Sequence, residues 1–204
     1  MRKKEPACDL LEHERRLWQE GFQAIAGVDE VGRGPLAGPV VACACIVPKG
    51  LFFEGVQDSK KLSKNTRERL SQLLTSHPDV HYSLGVVCHK TIDERNILRA
   101  TLLAMKQAVE GLKIKPDCVL VDGRDRPDVA MPAFALIGGD ERSHSIASAS
   151  IIAKQWRDAL MDEYHQQYPE YGFDRHKGYG TRAHFDALHR HGPCPIHRKT
   201  FLRS

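Results

Sequence analysis

Gly27-Val28-Asp29-Glu30-Val31-Gly32-Arg33-Gly34-Pro35-Leu36-Ala37-Gly38 joins two apolar runs, Ala24 to Val31 and Pro39 to Val47. The second run is continuous and rich in valine and cysteine, the pattern of a strand buried on both faces, and the glycines and prolines between the two predict a turn. Together they read as a hairpin or near-hairpin. Side chains alternate across a strand, so of the adjacent acids Asp29 and Glu30 one must face the interior. A buried carboxylate is costly unless a cation, a metal ion or a proton neutralises it.

Working outward, Ser63 is placed to cap a helix running to about Ser76, and His81 to Cys88 reads as a strand. Thr91-Ile92-Asp93-Glu94 has the form of a capping box. Leu98, Leu102, Met105, Val109 and Leu112 follow at helical spacing, which predicts the apolar face of one helix. Cys118 to Val121 is a short strand stopped by Asp122-Gly123, and Phe134 to Ile137 is another, followed by Gly138-Gly139-Asp140. Ser145 to about Tyr168 reads as a long helix with an Ala- and Ser-rich start, and Thr181 to His191 as a last helix closed by Gly192-Pro193. The sum is an α/β fold, a mixed central sheet flanked by helices, with a small basic helical C-terminal subdomain. The expected division is a charged extension over 1–22, a catalytic core over 23–168 and the basic segment over 169–204, packed as one unit.

The 204 residues, 41% hydrophobic and 27% charged, exclude collagen, coiled coil and wholesale disorder. The longest weakly polar run, Pro35 to Val47, is too short to span a bilayer. Met1-Arg2-Lys3-Lys4-Glu5 leads into charge rather than an apolar signal core, so a cytosolic location is expected. Cys8, Cys43, Cys45, Cys88, Cys118 and Cys194 form no C-x-x-C pair and read as buried thiols. From Tyr171 onward there are seven cations against two anions, and five of the eleven histidines, which add charge if protonated, lie there too. A basic end on a near-neutral body is a footprint of nucleic-acid binding.

Asp122 and Asp140, each beside glycine at a strand end, join Asp29 and Glu30 in a set of four acids. Four carboxylates on converging strand ends suit Mg²⁺ or Mn²⁺, and beside a phosphodiester they suit two-metal hydrolysis. Two other readings compete. Gly32-Arg33-Gly34-Pro35-Leu36-Ala37 matches the dinucleotide-binding pattern, but Pro35, Gly38 and Pro39 lead into a strand rather than the helix that pattern requires. A non-catalytic nucleic-acid-binding module would keep the basic end but leaves the four acids unexplained. The tail histidines show no paired ligand spacing; His184 and His189 are one residue too far apart.

The sequence resembles the bacterial ribonuclease HII family, the type 2 ribonucleases H. The resemblance is carried by residues 27–38, Asp58-Ser59-Lys60-Lys61-Leu62-Ser63, Val121-Asp122-Gly123, Ser148-Ala149-Ser150-Ile151-Ile152-Ala153-Lys154, and Tyr171-Gly172-Phe173 with His176-Lys177-Gly178-Tyr179. It implies a ribonuclease H-like fold and Mg²⁺- or Mn²⁺-dependent cleavage 5′ to a ribonucleotide in RNA/DNA hybrids and in DNA with embedded ribonucleotides, leaving 3′-hydroxyl and 5′-phosphate ends. The implied metal-binding catalytic set is Asp29, Glu30, Asp122 and Asp140. Gly32, Arg33 and Gly34 are similar to the turn that reads the 2′-hydroxyl, and Tyr179 to a tyrosine that packs on the neighbouring deoxyribose. Lys60, Lys61, Lys154, Ser148 and Ser150 are the implied phosphate contacts, and Lys177 is a further implied substrate-binding residue. The resemblance further implies a monomer acting in ribonucleotide removal from DNA. One departure stands out: where the family commonly has lysine before the Gly-Asp of the fourth acid, this chain has Gly138.

Overall fold

The computed structural model describes residues 9–202. The Met1-to-Glu5 stretch, Cys8 and the tail cation Arg203 lie outside them. In chain order the elements are α1 (Glu12–Gln19), β1 (Ile25–Val31), β2 (Val40–Ile46), α2 (Lys64–Ser76), β3 (His81–Val87), α3 (His89–Arg95), α4 (Ile97–Glu110), β4 (Cys118–Asp122), β5 (Ala133–Leu136), α5 (His144–Gln167), α6 (Phe173–His176) and α7 (Arg182–His191). The five strands form one mixed sheet in the order β3-β2-β1-β4-β5. β1 pairs antiparallel with β2 and parallel with β4, and β4 pairs parallel with β5. No helix among the described residues is long and apolar enough to cross a membrane.

The sheet is covered on both faces, which is why β2 is buried along its whole length. On one face α4 packs through Ala100, Ala104, Met105, Ala108 and Val109 against Ala26, Val28, Ala42 and Ala44. On the other, α5 packs Ala147, Ala149, Ile151 and Ala153 against Cys43 and Cys45, with Leu70 and Leu74 of α2 closing the layer. Small residues let both helices approach closely. A methyl group on Gly85 of β3 would stand 1.9 Å from the Ala104 carbonyl oxygen, and one on Gly27 of β1 only 2.1 Å from the Ser145 carbonyl carbon. Neither contact is possible, so both positions require glycine.

Two expectations need correction. Thr91 does not cap the long helix; it lies inside the short α3, and Asn96 caps α4 instead, accepting from the Arg99 N–H at 3.1 Å. Asn tolerates the positive φ of 67° required between two helices, which the Thr91 pattern did not reveal. The buried face of α4 is accordingly set by alanines, and Leu98 is exposed. The cysteine reading holds for Cys43, Cys45 and Cys118, which are buried free thiols, whereas Cys88 is exposed.

The 24 residues of α5 make a helix about 36 Å long, longer than the sheet is wide. Its distal half carries the C-terminal segment: Met161 joins Ala37, Tyr171, Phe173, Ala187 and Ile196 in a separate apolar cluster. At its start the helix is capped by its own Ser143 and by a carboxylate from the N-terminal segment. Oε1 of Glu14, on α1, accepts from Ser143 Oγ at 2.6 Å, Ser145 Oγ at 2.8 Å and the Ser145 N–H at 3.0 Å. A buried negative charge thus sits on the positive end of the central helix dipole.

Candidate active site

Parallel pairing of β1 and β4 matches Val28 to Val121, so one step further along both strands Asp29 and Asp122 emerge side by side. Asp140 arrives from the short 3-10 turn Gly139–Glu141 that follows β5. One carboxylate oxygen from each of Asp29, Asp122 and Asp140 lies within 4.8 Å of the others. Backbone donors fix two of them: Asp29 Oδ1 accepts from the Glu30 N–H and Asp122 Oδ1 from the Gly139 N–H, each at 2.7 Å. Glu30 is adjacent but outside this group of three. Its Oε1 faces Arg33 Nη1 at 3.3 Å.

Burial first, and then the charges of Glu30 and Asp122, hold the Asp29 carboxyl well above its ordinary range. Asp140 is raised by burial, then by Asp122 and Asp58, against the pull of Lys60. Glu30 is raised by burial, with Arg33 opposing. Acids that resist ionisation in one small volume mark a place where positive charge is wanted. The donors are all carboxylate oxygens, with neither thiolate nor imidazole among them, and so fit Mg²⁺ or Mn²⁺. Lys60 supplies partial compensation, with Nζ 3.6 Å from Asp140 Oδ2. Its ammonium therefore stands near the fourth acid of this chain, which has Gly138 where the family commonly has lysine. Desolvation pulls the Lys60 pKa down, but Asp140 and the other surrounding acids outweigh it and the net shift is upward.

Beside the carboxylates the glycine turn bulges from the sheet, with Arg33 and Gly34 exposed and Gly32 buried beneath them. Tyr179, half-exposed on the loop between α6 and α7, lies against it: a methyl group on Gly34 would touch the Tyr179 ring at 3.6 Å. Turn and tyrosine, 145 positions apart in sequence, thus form one continuous surface next to the acids.

The remaining expected contacts divide. Lys61 pairs with Glu141 at 2.6 Å, Lys154 with Asp158 at 2.7 Å, and Lys177 with Asp162. Only Lys60 and Lys61 expose most of their side chains. Ser148 is fully buried and its hydroxyl donates to the His144 carbonyl at 2.7 Å, so its place is in the helix packing, not on a surface that phosphate reaches. Ser150, also buried, bonds Ser59 Oγ at 2.9 Å beneath the Asp58-Ser59-Lys60-Lys61 loop. The tail histidines do not all add charge either. His184 and His197 are buried and share a 3.0 Å Nε2–Nε2 hydrogen bond, and burial, followed by the neighbouring His184, pulls His197 down to about 4.

The roles of two residues escaped the sequence reading. Arg157 and Arg198 are fully buried and bond only main-chain carbonyls, five in residues 32–39 and one at Lys177. Arg198 counted there only as one of several tail cations, and nothing in its local pattern distinguishes it from a solvated arginine.

The family model for ribonuclease HII matches residues 26–204. The ribonuclease HII of Chlamydia caviae is 56% identical over 188 residues, which cover 92% of this chain and 88% of the relative. Among solved structures, the ribonuclease H2 of Pyrococcus horikoshii superposes with a TM-score of 0.74 at 29% identity, covering 87% of this chain and 93% of that one. The Mn²⁺ complex of Bst-RNase HIII shares the fold at a TM-score of 0.68 and 18% identity, over 94% of this chain and 68% of that one. A family model that matches most of the chain, and a relative 56% identical over nearly its whole length, show that the chain belongs to the ribonuclease HII family of metal-dependent, nucleic-acid-cleaving ribonucleases H.

Proposed function

We propose that this enzyme hydrolyses the phosphodiester 5′ to a ribonucleotide in RNA/DNA hybrids and in DNA duplexes with embedded ribonucleotides, leaving 3′-hydroxyl and 5′-phosphate ends. The observation that carries the reading is a cluster of three carboxylates, those of Asp29 and Asp140 buried and that of Asp122 half-buried, beside a surface made of the Gly32-Arg33-Gly34 turn and Tyr179. The first provides hydrolysis; the second provides a means of telling ribose from deoxyribose.

Asp29, Asp122 and Asp140, with Glu30 at the rim, would hold Mg²⁺ or Mn²⁺, which when bound as a pair would supply an activated water and charge neutralisation for the leaving 3′ oxygen. The protein's own residues do the rest. Arg33 and Gly34 bring main-chain groups against a sugar, an approach that a side chain at Gly34 would hinder, and the 2′-hydroxyl is the group that separates RNA from DNA. Tyr179 packs on the sugar that follows and favours deoxyribose there by leaving no room for a second hydroxyl. Lys60 and Lys61 lie close enough to exchange their carboxylate partners for phosphate oxygens when substrate arrives. We further place the enzyme in the cytosol as a monomer that removes ribonucleotides from DNA.

The product ends test the chemistry. The proposed hydrolysis gives 3′-hydroxyl ends that a polymerase extends directly. Ends that resist extension until a cyclic phosphodiesterase has opened a 2′,3′-cyclic phosphate and a phosphatase has removed the resulting monoester indicate attack by the neighbouring 2′-hydroxyl, and would overturn the proposed reaction.

A further inference from the structure

Arg198 follows α7 and reaches back beneath the glycine turn with each of its guanidinium nitrogens engaged. Nε donates to the Gly38 carbonyl at 3.0 Å, Nη1 to the Arg33 carbonyl at 2.8 Å and Nη2 to the Gly32 carbonyl at 2.6 Å. Arg157 of α5 does the same for the return limb, donating to the carbonyls of Pro39 at 3.0 Å and Ala37 at 3.2 Å, and ties it to the segment after α6 through the Lys177 carbonyl at 3.1 Å. Neither guanidinium has a carboxylate within ion-pair distance among the described residues. A buried cation with no carboxylate partner in contact is an expensive way to hold a loop, and a neutral side chain would serve if holding were the whole purpose.

The geometry of the peptide group shows what else is gained. All the described peptides are trans, and in a planar trans peptide the N–H points opposite to the C=O. Turning the Gly32 carbonyl inward therefore turns the Arg33 N–H outward, and turning the Arg33 carbonyl inward does the same for the Gly34 N–H. These two N–H groups are on exposed residues and have no acceptor among the described residues. The guanidinium is itself seated by the ring of Phe201, whose centroid lies 5.0 Å from Cζ. The turn carrying Phe201 is tied to α3 through Asp93, which accepts from the Lys199 and Thr200 N–H groups at 2.9 Å.

We propose that Arg198 is a positioning residue: by fixing the Gly32 and Arg33 carbonyls inward it presents the Arg33 and Gly34 N–H groups as a preset pair of donors for an oxygen of the ribonucleotide. The proposal rests on the ribonucleotide reading above and adds the residue that makes the turn selective. Arginine is required because its planar fork spans two carbonyls at once while holding its proton in the interior, neither of which lysine can do.

The test compares binding of a DNA duplex carrying one ribonucleotide with binding of the all-DNA duplex, in chelator so that no cleavage occurs, for the parent and for Arg198→Lys. The expected result is a parental preference for the ribonucleotide that falls about tenfold, toward unity, in the variant, with all-DNA affinity within about twofold of the parent. An unchanged preference in a folded Arg198→Lys protein overturns the proposal, and so does an equal loss on both duplexes, which would make Arg198 a support of the local fold only. If the variant fails to fold, amide NMR of the parent still tests the donor pair on which the proposal depends. The Arg33 and Gly34 amide signals should move with the ribonucleotide duplex and stay in place with all-DNA, and signals that do not discriminate refute the donor pair. A parent with no preference overturns the ribonucleotide reading itself, whereas a selective parent with a selective variant removes only the role of Arg198.

Discussion

Replacing Asp29 with Asn should stabilise the protein while abolishing its chemistry. Asp29 is buried, and its oxygens lie within 4.8 Å of those of Asp122 and Asp140. Two unit charges at that separation repel by roughly 1 kcal/mol at the dielectric of water and roughly 3 kcal/mol at the effective value of protein sites. Asn keeps the Oδ1 that accepts the Glu30 N–H and removes the charge. For a chain of this length each kcal/mol moves the melting temperature by about 2–4 °C, so in chelator the variant should melt about 2–10 °C above the parent. The sign with pH follows from the raised carboxyl: the folded parent favours the proton, so its stability is lost as pH rises, and the advantage of Asn grows with it. Divalent ions should reverse the order. At a hundredfold excess over the dissociation constant the parent gains about 2.7 kcal/mol, while a variant lacking one carboxylate gains much less. Calorimetry with and without Mn²⁺ and a cleavage assay on the same samples decide the matter. An Asp29→Asn protein that melts no higher than the parent in chelator, or retains turnover, refutes the reasoning.

Tyr179→Ala should lower kcat/KM on a single-ribonucleotide duplex by about tenfold while changing turnover of a continuous RNA/DNA hybrid far less, since the ring is assigned to the sugar after the junction; equal losses on both substrates would count against that role. Glu14→Gln keeps the shape of the α5 cap but removes its charge, and should cost about 1–3 kcal/mol in urea unfolding because three donors depend on that carboxylate; a loss below a few tenths would show that the charge contributes nothing to the cap. Buried His197 titrates near 4 in the folded chain against about 6.5 when unfolded, so its contribution is present above 6.5 and lost as pH falls toward 4. Between pH 7 and pH 5 that amounts to about 2 kcal/mol of the parent's stability. His197→Asn should flatten the pH dependence by that amount, and unfolding curves with parallel slopes would refute it.

Much of the site was legible because it is built from short-range patterns. The Asp29-Glu30 pair, the glycine turn and the acids beside glycine are local signals, and strand alternation alone required one of the pair to be buried. The Ser63 and Gly192 caps likewise reside in a few adjacent residues. The face of α4 was less legible because Leu98 and Leu102 outweigh alanine in any reading of periodicity, whereas close approach at Gly85 makes Ala104 the contact. The electrostatics misled for a similar reason. Charge counting treats every cation as solvated, but Arg198 is buried and Lys177 is spent on Asp162. Their roles depend on partners far away in sequence, as does the bond from Ser143 to Glu14, 129 positions apart, which ties the N-terminal helix to the catalytic layer.

The central claim is tested most directly by incubating an end-labelled DNA duplex carrying one ribonucleotide with Mg²⁺, with Mn²⁺ and with chelator, beside an all-DNA control. A single metal-dependent cut on the 5′ side of the ribonucleotide, absent from the control, is the predicted result. Binding of the duplex with no cut under any metal would contradict the account and leave a junction-binding protein in place of a nuclease.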